Sequence, residues 1–132
     1  MVIPRFVKKG LLNQPITVYG DGSQSRCFTY IDDVIEAILA LIDCPDAVGE
    51  IFNVGSTEEI TIQQLAEKII ELTNSNSTIL HISYEEAYEQ GFEDMKRRVP
   101  DITKINNLIG WQPKVGIDEL LTKIIEYHRG AI

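Results

Sequence analysis

Apolar residues recur at three- to four-residue spacing in several stretches of this chain and alternate or cluster in shorter runs between them, so the pattern predicts helices joined by brief strands. Residues 2 to 14 read as a first helix. Pro4 is tolerated there because it lies in the first turn, where its missing N–H has no helical partner to lose. Ile16 to Tyr19 reads as a strand, Gly20 to Ser23 as a turn and Arg26 to Tyr30 as a second extended segment, together predicting a hairpin-like unit. Val34, Ala37, Ile38, Leu41 and Ile42 keep helical spacing as far as Pro45, with Asp32 or Asp33 as the N-cap. Glu50 to Val54 is nearly continuous in apolar character, the pattern of a strand buried on both faces.

Thr61 and Gln64 stand at capping-box spacing, and Ile60 and Leu65 at hydrophobic-staple spacing. A helix therefore begins here, with Leu65, Ala66, Ile69, Ile70 and Leu72 as its core face. Thr78 to Ser83 has strand propensity, and Glu85 to Gly91 reads as a short helical or irregular segment. Asp101 caps a helix that stops at Gly110, where glycine takes the left-handed conformation. The last helix, about 117 to 128, carries Ile117, Leu120, Leu121, Ile124 and Ile125 on one face, with Gly116 as a weak cap. No repeat or low-complexity tract interrupts this order, so residues 1 to 132 are expected to form one unit.

Composition narrows the class. At 132 residues and 44% hydrophobic content the chain has the size of one ordinary domain, and no apolar run approaches the ~18 residues of a membrane span. The first ten residues lack the ordered zones of an export signal, which places the expected location in the cytoplasm. Cys27 and Cys44, without a C-x-x-C, predict two buried reduced thiols rather than a disulfide or a metal site. His81 and His128 have no companion at ligand or triad spacing and are read as satisfied or surface residues.

A net charge of -8 argues against a nucleic-acid surface, which needs clustered Lys and Arg. A small phosphate ligand is another matter. Exposed charges are screened beyond ~8 to 10 Å, so a few arginines in a cleft outweigh a distant acidic surface. Arg26 stands out on this ground, because a guanidinium bracketed by Cys27, Phe28 and Tyr30 must point to solvent, pair with Asp32 or Asp33, or meet an anion. Lys96, Arg97 and Arg98 form a basic triplet immediately before Val99-Pro100-Asp101, a solvated charge run or a second anion contact. Pro100 pushes Val99 toward extended geometry and Asp101 starts a helix, so that segment follows a defined path.

The order of these pieces, I-P-R-F, V-Y-G-D-G-S-Q-S-R-C-F-T-Y, I-F-N-V-G, R-R-V-P-D-I-T-K and L-I-G-W-Q-P, resembles the carboxyl-terminal, substrate-binding half of the extended short-chain dehydrogenases: the NAD-dependent epimerases, dehydratases and decarboxylases of sugar nucleotides. The resemblance implies an α/β fold, α+β when taken alone, of helices with a few short strands that forms the carboxyl-terminal part of a Rossmann-type enzyme. It implies that Arg26, within G-x-G-x-Q-x-R-x-F-x-Y, and Arg98, within R-x-P-D, contact the diphosphate of a UDP- or dTDP-sugar from two sides. Thr17 and Tyr19 then lie beside the base; taken from the residues alone, V-Y in a strand is equally core. Trp111 looks structural.

Two signatures of the family's chemistry are not found in the sequence. There is no G-x-x-G-x-x-G turn to receive the pyrophosphate of NAD at a helix N-terminus, and no Tyr-x-x-x-Lys pair, since Tyr84 is followed by Tyr88 and Tyr30 by Val34. The resemblance therefore implies that NAD is held by an amino-terminal half absent from this chain, that the chain holds no catalytic residue and no metal, and that it is inactive alone. It also implies apolar surface where that half packs, with self-association as a consequence. The competing expectation is a stand-alone nucleotide-sugar-binding or regulatory module without catalysis.

Overall fold

The computed structural model describes residues 1–83 and 95–130. The expected segment Glu85 to Gly91, with Tyr84 and Tyr88, lies outside the described residues. Within them the chain is mixed α/β, several helices with a few short strands. It separates into two units, the first of residues 1–26, 60–97 and 121–132, the second of residues 27–59 and 98–120.

In the first unit, helix α1 (Val2–Leu11) stops short of the expected boundary because Asn13 takes a left-handed φ of 53°. The Asn13 side-chain oxygen then accepts hydrogen bonds from Asn76 N at 2.9 Å and Ser75 Oγ at 3.1 Å, which holds the turn. Strand β1 (Ile16–Tyr19) falls as read, with Ile16 and Val18 fully buried and Thr17 and Tyr19 half-buried. Helix α3 (Ile62–Thr73) opens on the expected capping box: Thr61 Oγ1 accepts from Gln64 N, and Gln64 Oε1 accepts from Thr61 N. Leu65, Ala66 and Ile69 join Phe6, Val7, Ile16 and Val18 as buried residues, with Leu121 and Ile125 of the last helix.

The hairpin does not form. β1 pairs instead in parallel with β4 (Ile79–Ile82), Ile16 opposite Ile79 and Tyr19 opposite Ile82, while β2 (Ser25–Cys27) is the middle strand of a second sheet, between β3 (Glu59–Thr61) and β5 (Arg97–Arg98). The reason lies in the turn, whose carbonyls are claimed by α3. Gly22 O accepts from Gln63 N and Gln24 O from Ile62 N, so the first amides of that helix find partners and the chain leaves β1 away from an antiparallel return.

The second unit contains α2 (Ile31–Ile42), a 3-10 turn (Pro45–Ala47) and α4 (Thr103–Ile109). Ala37, Ile105 and Trp111 form its core, with Leu41, Phe52, Val54, Ile102 and Ile109 packed on them. Asp33 is not a cap. The helix begins two residues before it, and its carboxylate is buried, accepting from Lys114 N at 3.1 Å and Val115 N at 3.0 Å while its carbonyl accepts from the Trp111 indole at 3.0 Å. Glu50 to Val54 is not a strand either. Phe52 and Val54 keep the inward half of an alternating pattern, but no ladder partner pairs with them among the described residues, and Ile51 is exposed.

Gly110 ends α4 with φ 68°, as expected. Helix α5 (Ile117–Arg129) also begins where expected, and its weak glycine cap is offset from a distance: the Glu58 carboxylate accepts from Ile117 N at 2.9 Å. Glu58→Ala is expected to destabilise the chain by about 1 kcal/mol, the ordinary cost of losing a helix cap. A urea titration that leaves the variant's midpoint unchanged would show this cap to be idle. Cys27 and Cys44 are not joined in a disulfide and are half-buried rather than fully buried. One face of α2 stands out, because Ile31, Ile35, Ile38, Leu39 and Ile42, with Val48 and Ile51 beyond it, are between 46% and 84% exposed.

Candidate functional site

Alternation along β1 decides where Thr17 and Tyr19 go. With Ile16 and Val18 turned into the core, both side chains fall on the opposite face, where α1 presents Arg5 and Lys9 one turn apart. Arg5 Nη1 donates to Tyr19 Oη at 2.9 Å, Arg5 Nη2 to Thr17 O at 3.3 Å, and Lys9 Nζ to Thr17 Oγ1 at 3.0 Å. The guanidinium carbon of Arg5 also lies 4.7 Å from the centre of the Tyr19 ring. The sequence reading missed Arg5 and Lys9. Their i, i+4 spacing on a helix that precedes the strand directly was the available signal.

The turn that follows is rigid. Gly22 has φ 74°, and a Cβ there would lie 3.0 Å from both Gln63 Cβ and Val18 Cγ1, so glycine is required twice over. Gln24, buried, donates from Nε2 to Tyr19 O at 3.1 Å, and Asp21 Oδ1 accepts from both the amide and the hydroxyl of Ser23. Arg26 emerges from this turn in β2, half-buried, with Nη1 donating to Ser25 O at 2.6 Å. Thr17, Tyr19 and Arg26 are thus all carried by the first unit.

Arg98 belongs to the second unit, as the exposed last residue of β5. The segment after it is fixed as its chemistry suggests. A Cβ on Gly55 would meet Pro100 Cγ at 3.0 Å, Ser56 N donates to Thr29 Oγ1 at 2.8 Å, and Asn53 Nδ2 donates to Asp101 O at 3.2 Å. The I-F-N-V-G and R-V-P-D elements therefore brace one another. Asp101 Oδ1 accepts from Thr103 N at 2.9 Å, and hydrogen bonding from Thr103 holds this carboxyl below its ordinary pKa. What that bond adds to stability is present above the ordinary carboxylate pKa and is lost as pH falls through the lowered value.

His81 is exposed and shares a hydrogen bond with Gln63 Oε1 at 2.9 Å, and His128 packs edge-on against Tyr127. Among the described residues no group of three or more His, Cys, Asp or Glu is placed to hold a metal, and no helix is long and apolar enough to cross a membrane. The first unit thus carries the cations Arg5, Lys9 and Arg26 at β1 and the turn after it, and the second unit carries Arg98.

Comparison with known proteins fits this layout. The model of the GDP-mannose 4,6 dehydratase family matches residues 1–124. The chain belongs to the NAD-dependent epimerase/dehydratase family. It is 42% identical over 128 residues to a UDP-N-acetyl-alpha-D-glucosaminuronate decarboxylase of Bacillus cytotoxicus, covering 97% of this chain and 40% of that one. It is 37% identical over 136 residues to UDP-D-apiose/UDP-D-xylose synthase 2 of Arabidopsis thaliana, covering 96% of this chain and 35% of that one. The UDP-glucuronic acid 4-epimerase of Bacillus cereus, solved with UDP-glucuronic acid and NAD, superposes with a TM-score of 0.88 at 26% identity, over 100% of this chain and 40% of that one. The chain thus spans 35–40% of the length of these relatives.

Proposed function

We propose that this chain supplies the nucleotide-diphosphate-sugar-binding part of an NAD-dependent sugar-nucleotide epimerase, dehydratase or decarboxylase. The observation that carries the reading is the construction of the first unit, where Thr17 and Tyr19 are held on one face of β1 and the turn leading to Arg26 is pinned to the start of α3. In this reading Thr17 and Tyr19 contact a uracil or thymine base and Arg26 contacts the diphosphate. Arg98, in the second unit, is proposed as a separate phosphate contact with its own test. NAD belongs to polypeptide beyond this chain, and binding of the remote nucleotide orients the sugar for chemistry that other residues perform. The exposed apolar face of α2 supports the same view, since a face of that kind is ordinarily covered by further protein.

Calorimetric titration of the chain with uridine diphosphate tests the reading. The unmodified chain is expected to bind, and Arg26→Ala and Arg98→Ala are each expected to lose about 1.5 to 3 kcal/mol, or roughly ten- to hundredfold in affinity. Unchanged affinity in both variants would remove the arginines from the site. Co-expression with the NAD-binding portion of a family member then asks for NAD-dependent turnover of UDP- and dTDP-sugars, which the chain alone is expected to lack.

A further inference from the structure

Arg5 is an expensive way to hold a strand. Among the described residues its Nε is buried without a hydrogen-bond partner, its two Nη groups donate to neutral acceptors, and no carboxylate forms an ion pair with it. An aliphatic side chain would fill the same space without an unmatched donor. What an aliphatic side chain would not do is fix the Tyr19 phenol. The guanidinium reaches that side chain twice, through the 2.9 Å bond to Oη and through its position 4.7 Å from the ring centre, and a third contact, at 3.3 Å, holds the Thr17 carbonyl.

We propose that Arg5 is a positioning residue for base recognition: acting through Tyr19 and Thr17, it sets how this chain holds the base of its nucleotide ligand without touching that ligand. Because guanidinium only donates, the Arg5 bond fixes the Tyr19 phenol oxygen as an acceptor and, with the cation 4.7 Å from the ring centre, sets where that ring stands. Lys9 does the equivalent for Thr17, whose hydroxyl accepts from Nζ at 3.0 Å. The inference rests on the proposed nucleotide-binding function and adds to it a residue that no ligand contact would reveal.

The test separates the two. Affinities for uridine diphosphate and for inorganic pyrophosphate are measured by calorimetry in the unmodified chain, in Arg5→Met, in Tyr19→Phe and in the double variant. Arg5→Met is expected to weaken uridine diphosphate about five- to twentyfold, roughly 1 to 1.8 kcal/mol, and to leave pyrophosphate unchanged. In the Tyr19→Phe background, where the hydroxyl acceptor is gone, the same change is expected to cost clearly less, since coupled residues are non-additive. Arg5→Lys, which keeps the charge and one donor, is expected to recover part of the loss and serves as the alternative should Arg5→Met fold poorly. Equal losses for both ligands, or full additivity with Tyr19→Phe, would overturn the positioning role while leaving the nucleotide reading intact. An unmodified chain that binds no uridine diphosphate overturns that reading and this inference with it.

Discussion

Asp33→Ala is expected to cost about 3 kcal/mol of stability, because it strands the amides of Lys114 and Val115 and removes a charged acceptor from an interior site. With a denaturant slope of ~1.5 to 2 kcal/mol per molar urea for a chain of this size, the midpoint should fall by about 1.5 to 2 M. The reporter is built in, since Trp111 is the sole tryptophan and its indole donates to the carbonyl of the very residue being changed. Asp33→Asn keeps an oxygen that accepts both amides but loses the charge, so roughly half the destabilisation is expected. A fluorescence-monitored titration that finds Asp33→Ala as stable as the unmodified chain would mean that solvent satisfies those amides.

The second large effect concerns association. Five apolar residues of α2, from Ile31 to Ile42, lie exposed along one helix with Val48 and Ile51 beyond them, and scattered exposure does not explain residues at i, i+4, i+7, i+8 and i+11. Sedimentation of the unmodified chain is therefore expected to show dimers or larger species. The double substitution Ile38→Glu with Ile42→Glu is expected to return it to a monomer. Both side chains are half-exposed or more, so thermal unfolding should change little. Sedimentation as a monomer at all accessible concentrations would remove the sticky face from the account.

Local signals carried most of the element list. Ile16–Tyr19, the Thr61/Gln64 capping box, Gly110 and the start of the last helix all depend on residues within a few positions of one another, which is the range over which propensity and capping act. What stayed hidden was pairing at a distance. Nothing near Val18 announces that its strand partner is His81, and nothing near Asp33 announces amides 81 and 82 positions on. Gly116 looked weak because the compensating carboxylate, Glu58, lies 59 residues before the Ile117 amide it accepts from. Glu50 to Val54 carried the composition of a buried strand but has no ladder partner among the described residues.

For the candidate site the balance is similar. Arg26, Thr17 and Tyr19 were visible as residues, and the defined path of the proline segment was legible from Pro100, but its brace against Gly55 was not. Arg5 and Lys9 escaped because a cation on a helix is ordinarily solvated. Only the antiparallel packing of α1 beside β1, which sets Arg5 at Tyr19 and Lys9 at Thr17, turns that side of the helix toward the strand.

The parallel union of Ile16–Tyr19 with Ile79–Ile82 also dictates an order of events during synthesis. The earlier strand leaves the ribosome before β4 has been made, and at ~5 to 20 residues per second it waits about 3 to 12 s for that partner. Throughout that delay Ile16 and Val18, which end with no exposed surface, sit open to any passing chain. Newborn copies should therefore lean on holdase chaperones during that interval.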